Sequence, residues 1–119
     1  MKQPGPDHPI TISPHGRRVR VIVDGAVIAD TTRALALKEA SYPVVLYIPR
    51  EDAQWERFTP NTRSTHCPYK GDASYFDLDV DGSPRPAAVW SYENPFPAVA
   101  EIKDHLAFYS DKVDAIEEG

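Results

Sequence analysis

The chain has a single cysteine, Cys67. It can form no intramolecular disulfide and no zinc site built from four cysteines. No apolar stretch approaches the ~20 residues a membrane-spanning helix needs. The opening residues, MKQPGPDHPITISP, lack the apolar core of a secretory leader. A cytoplasmic protein with no membrane partner is expected. Positive charge is also scarce: 13 basic residues against 18 acidic ones give a net charge of −5. A domain that grips phosphate backbones shows a basic stripe. The one basic cluster here, Arg17, Arg18 and Arg20, sits at a strand start and reads as solvated charge. No nucleic-acid partner is expected, and the oligomeric partner is left open.

Proline, by contrast, is plentiful. Twelve prolines in 119 residues are too many for a helix bundle, because each fixes φ and removes a backbone donor. Strands, turns and loops are expected, in a chain long enough to bury a core without staples. Residues 1–17, with Pro4, Pro6, Pro9 and Pro14, read as an extended or flexible arm, and residues 18–119 as one domain. From Arg18 onward alternation places Val19, Val21 and Val23 on one face. Asp24-Gly25 then separates two β-branched runs, as in a hairpin closed by a type I′ turn. In TTRALALKEASYP, Leu35 and Leu37 alternate as in a strand, although its alanines and leucines suit a helix equally well. VVLYIP, residues 44–49, is apolar on both faces and reads as a central strand. REDAQWERF reads as a short helical turn. DASYFDLDV and AAVWSY read as strands paired across an Asp81-Gly82 turn. NPFPAVAEIKDHL carries Val99, Ile102 and Leu106 at helical spacing, and reads as the principal α-helix. AFY is a last short strand before an acidic surface tail. The fold class is therefore mainly β and antiparallel, with one principal α-helix near the C-terminus and no structural zinc.

The stretch STHCPYKGDASYF, residues 64–76, concentrates the chemistry. Cys67 is either a nucleophile or a buried packing residue, since free cysteine is both reactive and core-loving. Lys70 beside Gly71 can present an ammonium to an anion while the bare backbone approaches closely. The glycines and helix of a phosphate-binding loop are missing. DLDVDG at 77–82 imitates half of a calcium loop, but its twelfth position is Ala88 where a glutamate belongs. Asp77 and Asp79 could instead hold Mg²⁺ as paired carboxylates, although strand alternation alone gives the same pattern. None of His8, His15, His66 and His105 shows zinc-pair spacing, so no metal ligand and no cofactor is assigned. Tyr42, Tyr47, Tyr69, Tyr75, Trp90 and Tyr92 lie in or beside strands and suit a pocket wall with polar tips, or equally an aromatic core.

The combination of EASYPVVLYIPRED (39–52), THCPYKGDASY (65–75), AVWSYENPFPAV (88–99) and IKDHLAFY (102–109) resembles a bacterial and fungal domain family of unknown function. Some collections label that family a nucleotidyltransferase. The resemblance covers residues 19–116 and implies a β-tent fold, with antiparallel sheets meeting along one edge. Fold relatives it implies include B-type methionine sulfoxide reductases, zinc-binding exchange-factor-like chaperones and the thalidomide-binding domain. Ligands in that group lie in an aromatic-lined cleft. Here the Gly-Ser pair, Gly82-Ser83, follows Asp77 and Asp79, whereas nucleotidyltransferases place it before such a pair.

The leading expectation is a small-molecule-binding domain for an anionic ligand. Lys70 and Arg50 would hold the anion, Tyr47, Tyr69, Tyr75 and Trp90 would form the wall, and Glu51 would orient Arg50 or exchange protons. The alternatives are an enzyme and a protein-interaction module. The enzyme would be a nucleotidyl- or group-transferase, or would use Cys67 as nucleophile with Lys70 and Glu51.

Overall fold

A computed structural model of the chain describes residues 1–119, and alternation builds strands through most of that length. Three antiparallel sheets form. One has the order β1 (Ile10–Pro14), β4 (Leu35–Glu39), β5 (Val45–Tyr47). The second is β10 (Ala115–Glu118), β2 (Val19–Val23), β3 (Ala26–Thr31). The third runs β6 (Phe58–Cys67), β7 (Gly71–Val80), β8 (Ser83–Ser91), β9 (Ala107–Phe108). The expected hairpins are present. Asp24 and Gly25 at φ 49° and 77°, and Asp81 and Gly82 at 52° and 81°, supply the two positive φ values that a turn matching strand twist requires. No helix is long and apolar enough to cross a membrane.

The β7 strand divides two cores, because successive side chains point to opposite faces. Phe76, Leu78 and Val80 pack with Val19, Val21, Val23 and Ile28 of the second sheet, and with Val89 and Leu106. On the other face, Ala73 and Tyr75 pack with Leu37, Tyr47, Tyr92, Val99 and Ile102. The arginine cluster is solvated as expected and ion-paired: Arg17 with Glu118, Arg18 with Asp30, Arg20 with Glu117.

Two expectations need correction. The principal α-helix does not form. Pro97–Ile102 makes only 3₁₀ turns, broken at Val99 with φ −125° and ψ 28°. Pro95 and Pro97 remove backbone donors, while the apolar stripe still meets its purpose, since Val99, Ile102 and Leu106 are all buried. The β5 strand lies at a sheet edge, not in a centre. Its two apolar faces are both covered because Tyr47 turns to one core while Leu46 packs on the other. The acidic tail lies at the surface as expected, with Glu117 and Glu118 exposed and paired in β10 with Arg20 and Val19 of β2.

A single backbone bridge joins the first and third sheets. Ile48 N–H donates to the Leu106 carbonyl at 2.8 Å, and Leu106 N–H to that of Ile48 at 2.7 Å. Beyond this bridge no ladder joins β5 to β9. The strands diverge, and the site lies where they part.

Candidate functional site

The sequence STHCPYKG is the end of β6, a turn at Pro68–Lys70, and the start of β7, with Cys67 opposite Gly71. Gly71 has φ +110°, and a Cβ there would press on the carbonyl oxygen of Asn94 at 3.4 Å. Only glycine lets the turn fold tightly against the 94–96 segment, whose Phe96 N–H donates to the Lys70 carbonyl at 3.0 Å. That closure turns the Lys70 side chain inward, to 9% exposure. Its ammonium donates to Glu39 Oε1. The other Glu39 oxygen lies 2.7 Å from His8 Nε2, and the His8 ring stacks on Tyr69 at 3.9 Å. Lys2 N–H donates to the Pro68 carbonyl at 2.7 Å, so the N-terminal arm lies over this turn.

Lys70 and Glu39 form one end of a pocket of about 190 Å³, walled by Tyr47, Tyr75, Trp90, Tyr92 and Tyr109. Trp90 Nε1–H donates to the Tyr47 hydroxyl at 3.3 Å, which leaves the Tyr47 proton free to donate. Tyr75 shares a hydrogen bond with Thr65 Oγ1 at 2.9 Å and reaches the Tyr109 hydroxyl at 3.5 Å. Trp90 and Tyr109 touch at a ring separation of 4.5 Å. A lysine ammonium has three donors, and Glu39 is the one side-chain acceptor Lys70 meets.

Burial dominates the electrostatics of the phenols. It raises Tyr47 and Tyr92 far above the usual phenol range, with neighbouring acidic groups adding to the shift. Burial, then the hydrogen bond to Tyr75, pushes Tyr109 up to about 12. All three are neutral donors near pH 7. Burial also pushes the Glu39 carboxyl up, but the hydrogen bonds from Lys70 and His8 outweigh it and leave it below its ordinary range.

An alkaline limit follows. A phenol with a raised folded pKa holds its proton longer when folded than when unfolded. Its contribution to stability is therefore complete below about pH 10 and lost as pH climbs toward 12. Ultraviolet titration of phenolate absorbance should show these tyrosines ionising together with unfolding. Reversible ionisation of all six tyrosines near pH 10 in a still-folded chain would contradict the burial described.

The structure brings together Tyr42, Tyr47, Lys70, Tyr75, Trp90 and Tyr92 of the residues singled out from the sequence. Tyr69 lies outside the pocket, on His8. Cys67 is half-buried against the second core, near Tyr47 and Tyr92. Arg50 and Glu51 are elsewhere. Trp90 faces the pocket, so its neighbour Ser91 faces the opposite side of β8, and Ser91 is where Arg50 donates, at 3.1 Å. The guanidinium also meets Glu93 at 3.2 Å and lies 4.5 Å over the Trp55 ring. Glu51 is exposed and pairs with Arg33 at 3.1 Å. Arg50→Ala should therefore cost about 1–2 kcal/mol of stability through lost stacking and hydrogen bonding, with the Lys70 pocket unaltered. Denaturant unfolding of the variant measures this, and loss of pocket ligand binding at full stability would refute the assignment.

The two aspartates also have local duties. Asp77 Oδ1 accepts from Asn61 Nδ2 at 2.8 Å and from Ala87 N–H at 2.7 Å, and Asp79 accepts from Gly82 N–H at 2.9 Å. They shape the β7–β8 hairpin, including the positive-φ residue Ala87 (φ 50°).

Sequence reasoning missed Glu39, His8 and Tyr109 as site residues. Glu39 ends β4 opposite Ile10 of β1, and that register carries His8 to it from the arm. A histidine 31 positions from its carboxylate leaves no spacing signal. Tyr109, the tyrosine of the AFY stretch, was legible as a strand aromatic.

The chain belongs to the family described as a domain of unknown function (DUF427), which it matches over residues 11–119 and which bears the short name NTP_transf_9. No curated protein matches it.

Proposed function

We propose that this DUF427 domain is a small-molecule-binding protein of the cytoplasm, and that its tyrosine-walled pocket receives the anionic or strongly accepting end of a compact ligand. The observation that carries this reading is Lys70. An ammonium drawn to 9% exposure is costly unless it is paired and hydrogen-bonded, and a single carboxylate does not use all of its donors. A ligand oxygen at this position would accept from Lys70 and from neutral phenols at once. Preorganised donors at a desolvated wall bind oxygen anions better than water does. The half-buried thiol of Cys67 suits a reducing compartment.

The test is a thermal-shift and calorimetry series with benzoate, phenyl phosphate and AMP. A ligand present at a hundred times its Kd adds about 2.7 kcal/mol, several degrees in a domain of this size. We expect at least one of these acids to stabilise the chain, and Tyr92→Phe, which keeps the ion pair, to weaken it. If none of the three moves the midpoint, the reading fails.

One observation favours a second reading, an enzyme that moves protons. Glu39 links His8 to Lys70 in a continuous acid–base chain at the pocket, an arrangement able to relay a proton to a bound substrate. Nucleotidyl transfer has less support, because the oxygens of Asp77 and Asp79 already hold hairpin N–H groups. A stabilisation by AMP or ATP that depends on Mg²⁺ and vanishes in Asp77→Asn would reverse that preference.

A further inference from the structure

The gap between β5 and β9 opens a groove of about 670 Å³, larger than the tyrosine pocket. Val44 and Leu46 form one wall, Phe108 the other, and Ile116 of β10 and Ala36 of β4 complete it. Val44 is 53% exposed and neighbouring Tyr42 61%, so a run of apolar side chains faces water at the mouth. Val45, Trp90 and Tyr109 line both cavities. The polar pocket and the apolar groove therefore adjoin across these three side chains. At the far end of the groove stand His15 and Glu118, 3.0 Å apart.

We infer that the two cavities are subsites of one elongated site for a linear monocarboxylic acid. Its carboxylate would sit at Lys70 and its alkyl or aryl-alkyl body would pass the Trp90–Tyr109 pair into the groove. This rests on the pocket reading above and names the ligand class. Three features argue for it. The ammonium of Lys70 and the phenols of Tyr47, Tyr75 and Tyr92 line the pocket and not the groove, so an anionic head binds there. The groove walls offer side chains that gain only by covering apolar surface. The far end carries the Glu118 carboxylate, already paired with Arg17, with His15 Nε2 off its hydrogen-bond line and without a partner. A second carboxylate at the ligand's tail would leave water for these apolar walls with no cation unpaired to receive it, so monoacids are selected over diacids of equal length.

The decisive experiment is calorimetric titration of the whole chain with butyrate, hexanoate, octanoate and decanoate, and with octanedioate. Each methylene that enters the groove should tighten binding about fourfold, with a plateau once the groove is filled, at one acid per chain. Octanedioate should bind more weakly than octanoate by at least tenfold. Val44→Asp, at an exposed position that the core does not need, should leave butyrate unchanged and flatten the length dependence.

Affinity independent of length, or an unchanged series in Val44→Asp, overturns the inference and leaves the head pocket standing. Binding of octanoate that survives in Lys70→Met/Glu39→Leu also overturns it, since the groove would then be a separate site. Failure of every acid at every length overturns the inference, while the pocket reading falls only if benzoate, phenyl phosphate and AMP fail as well.

Discussion

Lys70→Met should lower the unfolding midpoint by about 10 °C or more at neutral pH. Lys70 and Glu39 keep only 11% and 14% of their side-chain surface exposed. Removing one partner of such a pair leaves a desolvated charge behind, at a cost of about 3 kcal/mol or more, and each kcal/mol moves the midpoint of a domain this size by roughly 3–6 °C. The double variant Lys70→Met/Glu39→Leu should recover most of the loss, because a well-packed apolar pair is an adequate substitute for a buried ion pair. The pH dependence gives an independent check. In the native chain Glu39 titrates below its ordinary range, so its contribution is present above about pH 4 and is lost as pH falls through the lowered value. Without Lys70 the burial that raises this carboxyl is less opposed, and protonation relieves the variant. The stability gap between the two proteins should therefore shrink on acidification. An equal gap at pH 7 and in the acid range would mean that Lys70 matters by its packing alone.

Leu106→Ala should cost about 3–4 kcal/mol, within the range for fully buried leucines that leave a cavity. Its side chain is 0% exposed in the first core, and its backbone makes the single bridge between the β5 and β9 edges. The truncation thus opens a void at the vertex from which the groove diverges. Urea unfolding measures the loss, with an unchanged m value if the native state stays compact. A cost under about 1 kcal/mol would show that the vertex relaxes freely, contrary to the packing described.

Local chemistry made much of this fold legible. Asp24-Gly25 and Asp81-Gly82 fix turns by their own backbone preferences, and the alternation in β7 names the residues of both cores. The stripe Val99, Ile102, Leu106 identified buried positions correctly but not the backbone beneath them. The backbone breaks at Val99, and a 3₁₀ path can bury the same side chains. The site was half legible for a related reason. Lys70, Tyr47, Tyr75 and Trp90 announce themselves by type and by strand context. The pairing of Glu39 with His8 depends on the β1–β4 register, and the separation of Arg50 from Lys70 depends on which face of β8 each residue meets. Both are facts of tertiary arrangement, and no short window of sequence holds them.

The closure of β2 by β10 bears on how the chain comes to be folded at all. Arg20 and its partner Glu117 are 97 positions apart, and the β10 ladder runs from Ala115 to Glu118. Such long-range pairing is slow, because the loop entropy is lost before the contacts form. On a ribosome the β2–β3 hairpin emerges early and must wait, with one edge unpaired, until Ala115–Glu118 has been made. That interval is when the nascent protein is most open to association with other chains. Arg17 and Arg20, which later pair with Glu118 and Glu117 of β10, leave that edge charged while it waits.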